Sequence, residues 1–121
     1  MENKKKDSDC IFCKISRGEI KSERILETEN FFAVKDINPK TKGHSVLIFK
    51  KHYETFLDIP DDLFEEFMVT AKKLASKLMK EEKAEGFNLI MNNFRIAGQM
   101  IPHAHLHVLP RYKDDGFNAN V

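Results

Sequence analysis

The chain has 121 residues, a length that suits one compact domain around one core. Twenty Lys and Arg against 19 Asp and Glu leave a net charge of +1, so no global field directs it to nucleic acid or to an anionic membrane surface. No apolar run approaches the ~20 residues of a membrane helix. The start, MENKKKDSDC, has no apolar stretch behind its lysines that would make a secretory signal, so a soluble protein of the cytoplasm is expected.

Residues 1–9 are expected to form a flexible tail, and 10–121 a single domain. Ile11 to Arg17 has room for one or two helical turns, closed by Gly18. Arg24 to Thr28 and Phe31 to Lys35 read as strands that meet at a tight turn, Glu29-Asn30. Asn38 to Gly43 is a loop by its turn residues, and His44 to Phe49 (HSVLIF) is a buried strand. Ile59-Pro60-Asp61-Asp62 signals a helix start, with one of the two aspartates as the cap. From there Leu63, Phe67, Ala71, Leu74 and Leu78 recur at helical spacing opposite a charged face. That is one long amphipathic helix, ended by Gly86. Phe87 to Met91 is a strand, 92–102 a loop containing Gly98, and His103 to Leu109 a final strand stopped by Pro110. Strands, one long helix, then strands predict an α+β fold with a mainly antiparallel sheet.

The last strand, within IPHAHLHVLPR, holds three of the chain's five histidines at alternate positions: His103, His105 and His107. Side chains alternate faces along a strand, so the three are predicted to share one face, with Ala104, Leu106 and Val108 turned to the core. Successive histidines would stand ~6.5–7 Å apart and the outer two ~13 Å apart. One metal ion needs its ligands at ~2.0–2.1 Å, so the three cannot share it. Nucleophilic catalysis fits better. Imidazole is largely neutral at neutral pH and attacks phosphorus, and a neighbouring imidazole can hold the phosphoryl oxygens or pass a proton.

The two cysteines stand as C-x-x-C in CIFC, at Cys10 and Cys13. The spacing fits a metal half-site, a redox dithiol or two reduced, half-buried thiols, and the βαβ context of a thioredoxin-like pair is missing.

HAHLHVL resembles the histidine triad motif, three histidines alternating with apolar residues, of the histidine triad (HIT) superfamily. CIFCKISRGEI, KDINPKTKGHSVLI, KKHY and NN…AGQ are similar to the matching segments of Hint-type members, so the resemblance covers most of the chain. It implies a half-barrel α+β domain and a homodimer whose subunits join their sheets. It implies a hydrolase or nucleotidyl transferase acting at the α-phosphate of purine nucleoside phosphoramidates or related compounds, with dinucleoside polyphosphates as the alternative substrates. On this resemblance His105 is the nucleophile that takes the nucleotidyl group. His107 and His44 meet the phosphate, and Asn92 and Gly98 help to hold it. Asp36 accepts from the ribose hydroxyls, and Phe12, Ile15, Val34 and Ile37 form the apolar slot for the base. No catalytic metal is required. With the other histidines so assigned, His52 and His103 remain to join Cys10 and Cys13 as a structural zinc site, which many bacterial and archaeal relatives carry. One residue departs from the pattern. Met100 follows Gly98-Gln99 where relatives usually carry a hydroxyl, and a thioether donates no hydrogen bond. A catalytically weak nucleotide-binding or interaction module is the reading that this departure would favour.

Overall fold

The structure, a computed structural model, describes residues 9–121. Of the expected tail over residues 1–9, all but Asp9 lies outside them. A short helix α1 (Ile11–Ser16) precedes strands β1 (Leu26–Glu27), β2 (Phe31–Lys35) and β3 (Ser45–Phe49). Helix α2 (Phe64–Glu81), then β4 (Gly86–Ile90) and β5 (His105–Arg111), complete the domain. The five strands form one open sheet in the order β1-β2-β3-β5-β4, and every neighbouring pair is antiparallel. The fold is α+β, as expected, with one main helix.

Strands β2 and β3 are buried on both faces, which explains the apolar runs Phe31 to Val34 and Val46 to Phe49. One face carries Phe31, Ala33, Leu47, Phe49, Leu106 and Val108 and packs on Phe67, Ala71, Leu74 and Leu78 of α2. The opposite face carries Phe32, Val34, Val46 and Ile48 and packs on Cys10, Phe12 and Cys13 at α1. His105 pairs with Ile48 and His107 with Val46, so both histidines stand on the α1 face. Alternation thus delivers Leu106 and Val108 to the main core and two imidazoles to the other side.

Four boundaries differ from the expectations by two residues or more. β1 shrinks to Leu26–Glu27, with Ile25 N–H still donating to Ala33 O at 2.9 Å. Two single 3₁₀ turns, Phe56–Asp58 and Asp61–Leu63, precede α2, so Asp61 and Asp62 sit in a turn and Leu63 takes the cap position with no side-chain bond. The first turn of α2 gains its favourable charge instead from Glu65 and Glu66. Glu66 also accepts from Thr28 Oγ1 (3.0 Å) and Asn30 Nδ2 (2.8 Å), which ties α2 to the β1–β2 turn. The helix ends at Glu81 with Lys83 at φ 54°, and Gly86 opens β4 rather than stopping the helix. Finally, β5 starts at His105 and runs through Pro110 to Arg111. Its pairing with β3 ends at Val108, while pairing with β4 continues through Phe87↔Pro110. A proline is tolerated there because the β3 side of the ladder has already stopped.

Candidate active site

The later start of β5 splits the histidine row. His105 and His107 share a strand face, but His103 lies before the strand in a turn, where its N–H donates to Ile101 O (2.8 Å). The ring of His103 is fully buried and turns to α1. Its Nε2 lies 2.6 Å from Phe49 O. A carbonyl only accepts, so Nε2 carries the hydrogen and Nδ1 presents a lone pair. That Nδ1 lies 3.2 Å from Cys10 Sγ, 3.5 Å from Cys13 Sγ and 3.2 Å from His52 Nδ1, and Cys13 Sγ lies 3.2 Å from His52 Nδ1. The four ligand atoms all lie within 4.8 Å of one another. A zinc tetrahedron with its usual bond lengths has edges of ~3.3–3.8 Å, so these residues fit such an ion. Its requirement for an oriented histidine is met by the bond from His103 to Phe49. The two thiols form no disulfide, and Cys13 N–H donates to Cys10 Sγ at 3.3 Å.

Three imidazoles converge beside this cluster. His105 Nδ1 lies 2.6 Å from the carbonyl oxygen of His103, so Nδ1 carries the hydrogen and Nε2 keeps its lone pair. Phe12 packs edge-on against both His103 and His105, with ring centroids 5.7 and 5.1 Å apart. The backbone N–H of Lys40 donates to His44 Nδ1 at 3.0 Å, which forces the His44 hydrogen onto Nε2. His44 Nε2 lies 2.9 Å from His107 Nδ1, so it donates there, and the hydrogen of His107 is left on Nε2. Backbone partners therefore set the tautomers of His105 and His44, and His44 sets that of His107: one imidazole with a free lone pair stands beside one with an N–H to offer. Burial holds His105, His44 and His107 below the ordinary imidazole range, His107 at about 4. The His105 and His44 rings add to the effect on His107. The set is neutral at neutral pH.

Asp36 follows β2. One carboxylate oxygen accepts from Asn38 N–H (2.8 Å), and the other lies 3.4 Å from His44 Nε2 and 3.8 Å from His107 Nδ1. The loop before His103 is held by Gln99, which is buried. Its Oε1 accepts from Phe94 N–H (2.8 Å) and its Nε2 donates to Glu54 O (2.6 Å). Gly98 has φ 99°, and a Cβ there would lie 3.2 Å from Asn92 Nδ2, so both backbone and space favour glycine. Asn92 Nδ2 lies 3.4 Å from Gly98 O.

These groups open on one hollow of about 680 Å³. Every residue proposed for catalysis or substrate lies on its wall: the three histidines, Asn92, Gly98, Asp36, Phe12, Ile15, Val34 and Ile37. Ile37 is 89% exposed, at the lip, whereas Phe12 is buried beneath His105. His52 and His103 lie instead with the two cysteines. The wall also holds Lys21, Lys40 and Met100, of which the sequence pattern marks only Met100. The bonds from Gln99 to Glu54 O and from His103 to Phe49 O are not legible in the sequence either, because they join a side chain to backbone far away along the chain.

A family model described as HIT domain matches residues 17–114, leaving α1 and the cysteines outside the match. An uncharacterised HIT-like protein of Methanocaldococcus jannaschii is 45% identical over 107 residues, 88% of this chain and 82% of the relative. A Candida albicans protein named adenosine 5'-monophosphoramidase is 37% identical over 118 residues, 94% of this chain and 77% of its own. A solved HIT-family structure from Bacillus subtilis superposes with a TM-score of 0.88 at 38% identity, covering 93% of this chain and 81% of that one. A zinc-bound histidine triad protein from Mycobacterium smegmatis superposes with a TM-score of 0.86 at 32% identity, over 94% of this chain and 83% of that one. The extent of the family match, the shared fold and the paired imidazoles on β5 agree, and the chain belongs to the HIT family.

Proposed function

We propose that the chain is a nucleotide hydrolase or nucleotidyl transferase acting at the α-phosphate of purine nucleoside phosphoramidates or related compounds through a nucleotidyl-His105 intermediate. The observation that carries this reading is the tautomer arrangement: His105 offers a lone pair at Nε2 while His107 offers an N–H. The base takes the apolar slot of Ile15, Val34 and Ile37 over Phe12, and Asp36 takes the ribose hydroxyls. His105 Nε2 attacks phosphorus in line and forms the N–P bond, and the bond to the leaving group breaks as the departing nitrogen takes a proton from solvent. His107 and the backbone near Gly98 bear the charge of the phosphoryl oxygens. Water then attacks phosphorus and forms the new O–P bond, the P–N bond breaks with its electron pair returning to His105, and the surplus proton passes to solvent. The relative named adenosine 5'-monophosphoramidase supports this chemistry.

Cys10, Cys13, His52 and His103 would hold zinc as four protein ligands, with no position open for water, so the ion would serve structure. The zinc-bound relative supports this. We further assign a homodimer. Strand β4 closes the sheet with one side unpaired among the described strands, and Phe87 and Leu89 on it are 45% and 46% exposed. An apolar sheet edge of this kind is suited to a second copy.

The test is incubation of purified protein with adenosine 5'-phosphoramidate and, separately, diadenosine tetraphosphate, beside a His105→Asn variant. AMP from the phosphoramidate, lowered at least ~1,000-fold in the variant, is the expected result. Faster cleavage of the tetraphosphate would instead assign polyphosphate hydrolysis. Binding of AMP without turnover of either would leave a binding module.

A further inference from the structure

Of the chain's five methionines and two cysteines, all but Met1 lie among the described residues. Their sulfur atoms stand in different surroundings. Cys10 and Cys13 are buried at α1. Met79 and Met91 are half-buried, and Met91 packs on the main core. Met68 is 48% exposed, on α2 and so on the sheet face opposite the hollow. Met100 is 72% exposed and belongs to the wall of the hollow, with Asn92, Gly98 and the catalytic histidines. Among the described residues it alone is a thioether both open to solvent and on that wall. Its backbone is held in place, because the preceding Gln99 is buried and bonded to Phe94 N–H and Glu54 O.

An exposed thioether has a reaction that the hydroxyl of a serine or threonine lacks: peroxide oxidises it to a sulfoxide. The sulfur lone pair attacks one peroxide oxygen, the S–O bond forms, and the O–O bond breaks. The second oxygen leaves with both hydrogens as water, so sulfur loses two electrons and peroxide gains them. A flexible apolar side chain becomes a polar one, whose new oxygen accepts hydrogen bonds and donates none. On this wall such an oxygen would face the anionic oxygens of a bound phosphate and oppose them. We propose that Met100 is a peroxide-sensitive modification site, whose oxidation to the sulfoxide weakens nucleotide binding in the hollow and whose reduction restores it. This role rests on the nucleotide reading given above. In the return step two thiols form a disulfide, and their hydrogens carry off the sulfoxide oxygen as water.

The experiment treats wild type and Met100→Leu with hydrogen peroxide, with and without saturating AMP, and compares each with its own untreated protein. Peptide mass spectrometry follows the gain of one oxygen at Met68, Met79, Met91 and Met100, and calorimetry gives the Kd for AMP. Met100 should be oxidised first, and AMP should slow its oxidation at least ~3-fold while leaving Met68 unaffected, since susceptibility follows exposure. The Kd for AMP should rise by ~5–10-fold in the oxidised wild type, the scale of one hydrogen-bonding group set against the ligand. Treatment with methionine sulfoxide reductases and dithiothreitol should bring it back. Met100→Leu should keep its own Kd through the same treatment, which separates Met100 from Cys10 and Cys13 as the sulfur responsible. Oxidation of Met68 ahead of Met100, a Met100 sulfoxide that binds AMP as tightly as the thioether, or an equal loss in Met100→Leu overturns this role while the nucleotide reading stands. Untreated wild type that binds no AMP overturns that reading and the role of Met100 with it.

Discussion

His107 shows how much one residue's surroundings decide. The triad pattern puts it on a strand beside His105, but its service as a donor depends on a chain of contacts from the Lys40 backbone through His44. No periodicity reveals that chain, because it joins a loop to a strand through side chains. The same burial has a measurable consequence. In the unfolded chain an imidazole titrates near ~6.5, whereas His107 in the fold is held at about 4. Between these values the unfolded chain binds a proton that the native state refuses, so acid favours unfolding. The contribution is complete above ~6.5 and is lost as the pH falls toward about 4. Melting temperatures taken from about pH 7.5 to about 5 should fall, and His107→Asn should flatten part of that fall. An equal slope in the variant would show that His107 is not held neutral by the fold.

At the scale of elements, β2 is read correctly to the residue because both its faces are buried, so every position from Phe31 to Val34 is apolar. The β5 start is misread because His103 continues the alternation in sequence while its ring belongs to the cysteine cluster. Two structures compete for one residue, and pattern alone does not say which wins. His103 consequently serves both sites: its ring faces Cys10 and Cys13, and its carbonyl accepts from His105 Nδ1. A zinc ion there would fasten α1 to the segment that orients the nucleophile. Cys13→Ser should reduce bound zinc per chain and lower the melting temperature by roughly 10 °C or more. It should depress kcat more than it raises KM, since the nucleotide slot itself is largely intact. A variant that melts with the wild type, from protein that carries no zinc, would refute the assignment.

For the whole molecule, the class of fold and the position of the long helix are legible because periodicity reports burial. The strand order is not. β4 pairs with β5 rather than β3, which places the apolar residues Phe87 and Leu89 on an outer strand. Two exposed apolar side chains in an alternating strand look, in sequence, like any half-buried pair. If a second copy covers them, replacing both with lysine should yield a monomer in sedimentation equilibrium while the single subunit keeps its secondary structure. A wild type that sediments as a monomer at working concentration would remove the dimer from the account.

The most direct measurement is a rapid acid quench or alkaline quench during turnover of a nucleoside phosphoramidate or phosphosulfate, followed by mass spectrometry of the protein's peptides. A transient nucleotidyl group is expected on the peptide that carries His105, formed and lost at rates compatible with kcat and missing from His105→Asn. Turnover with no adduct at any time, sustained in that variant, would mean that water attacks phosphorus directly and that His105 is not the nucleophile.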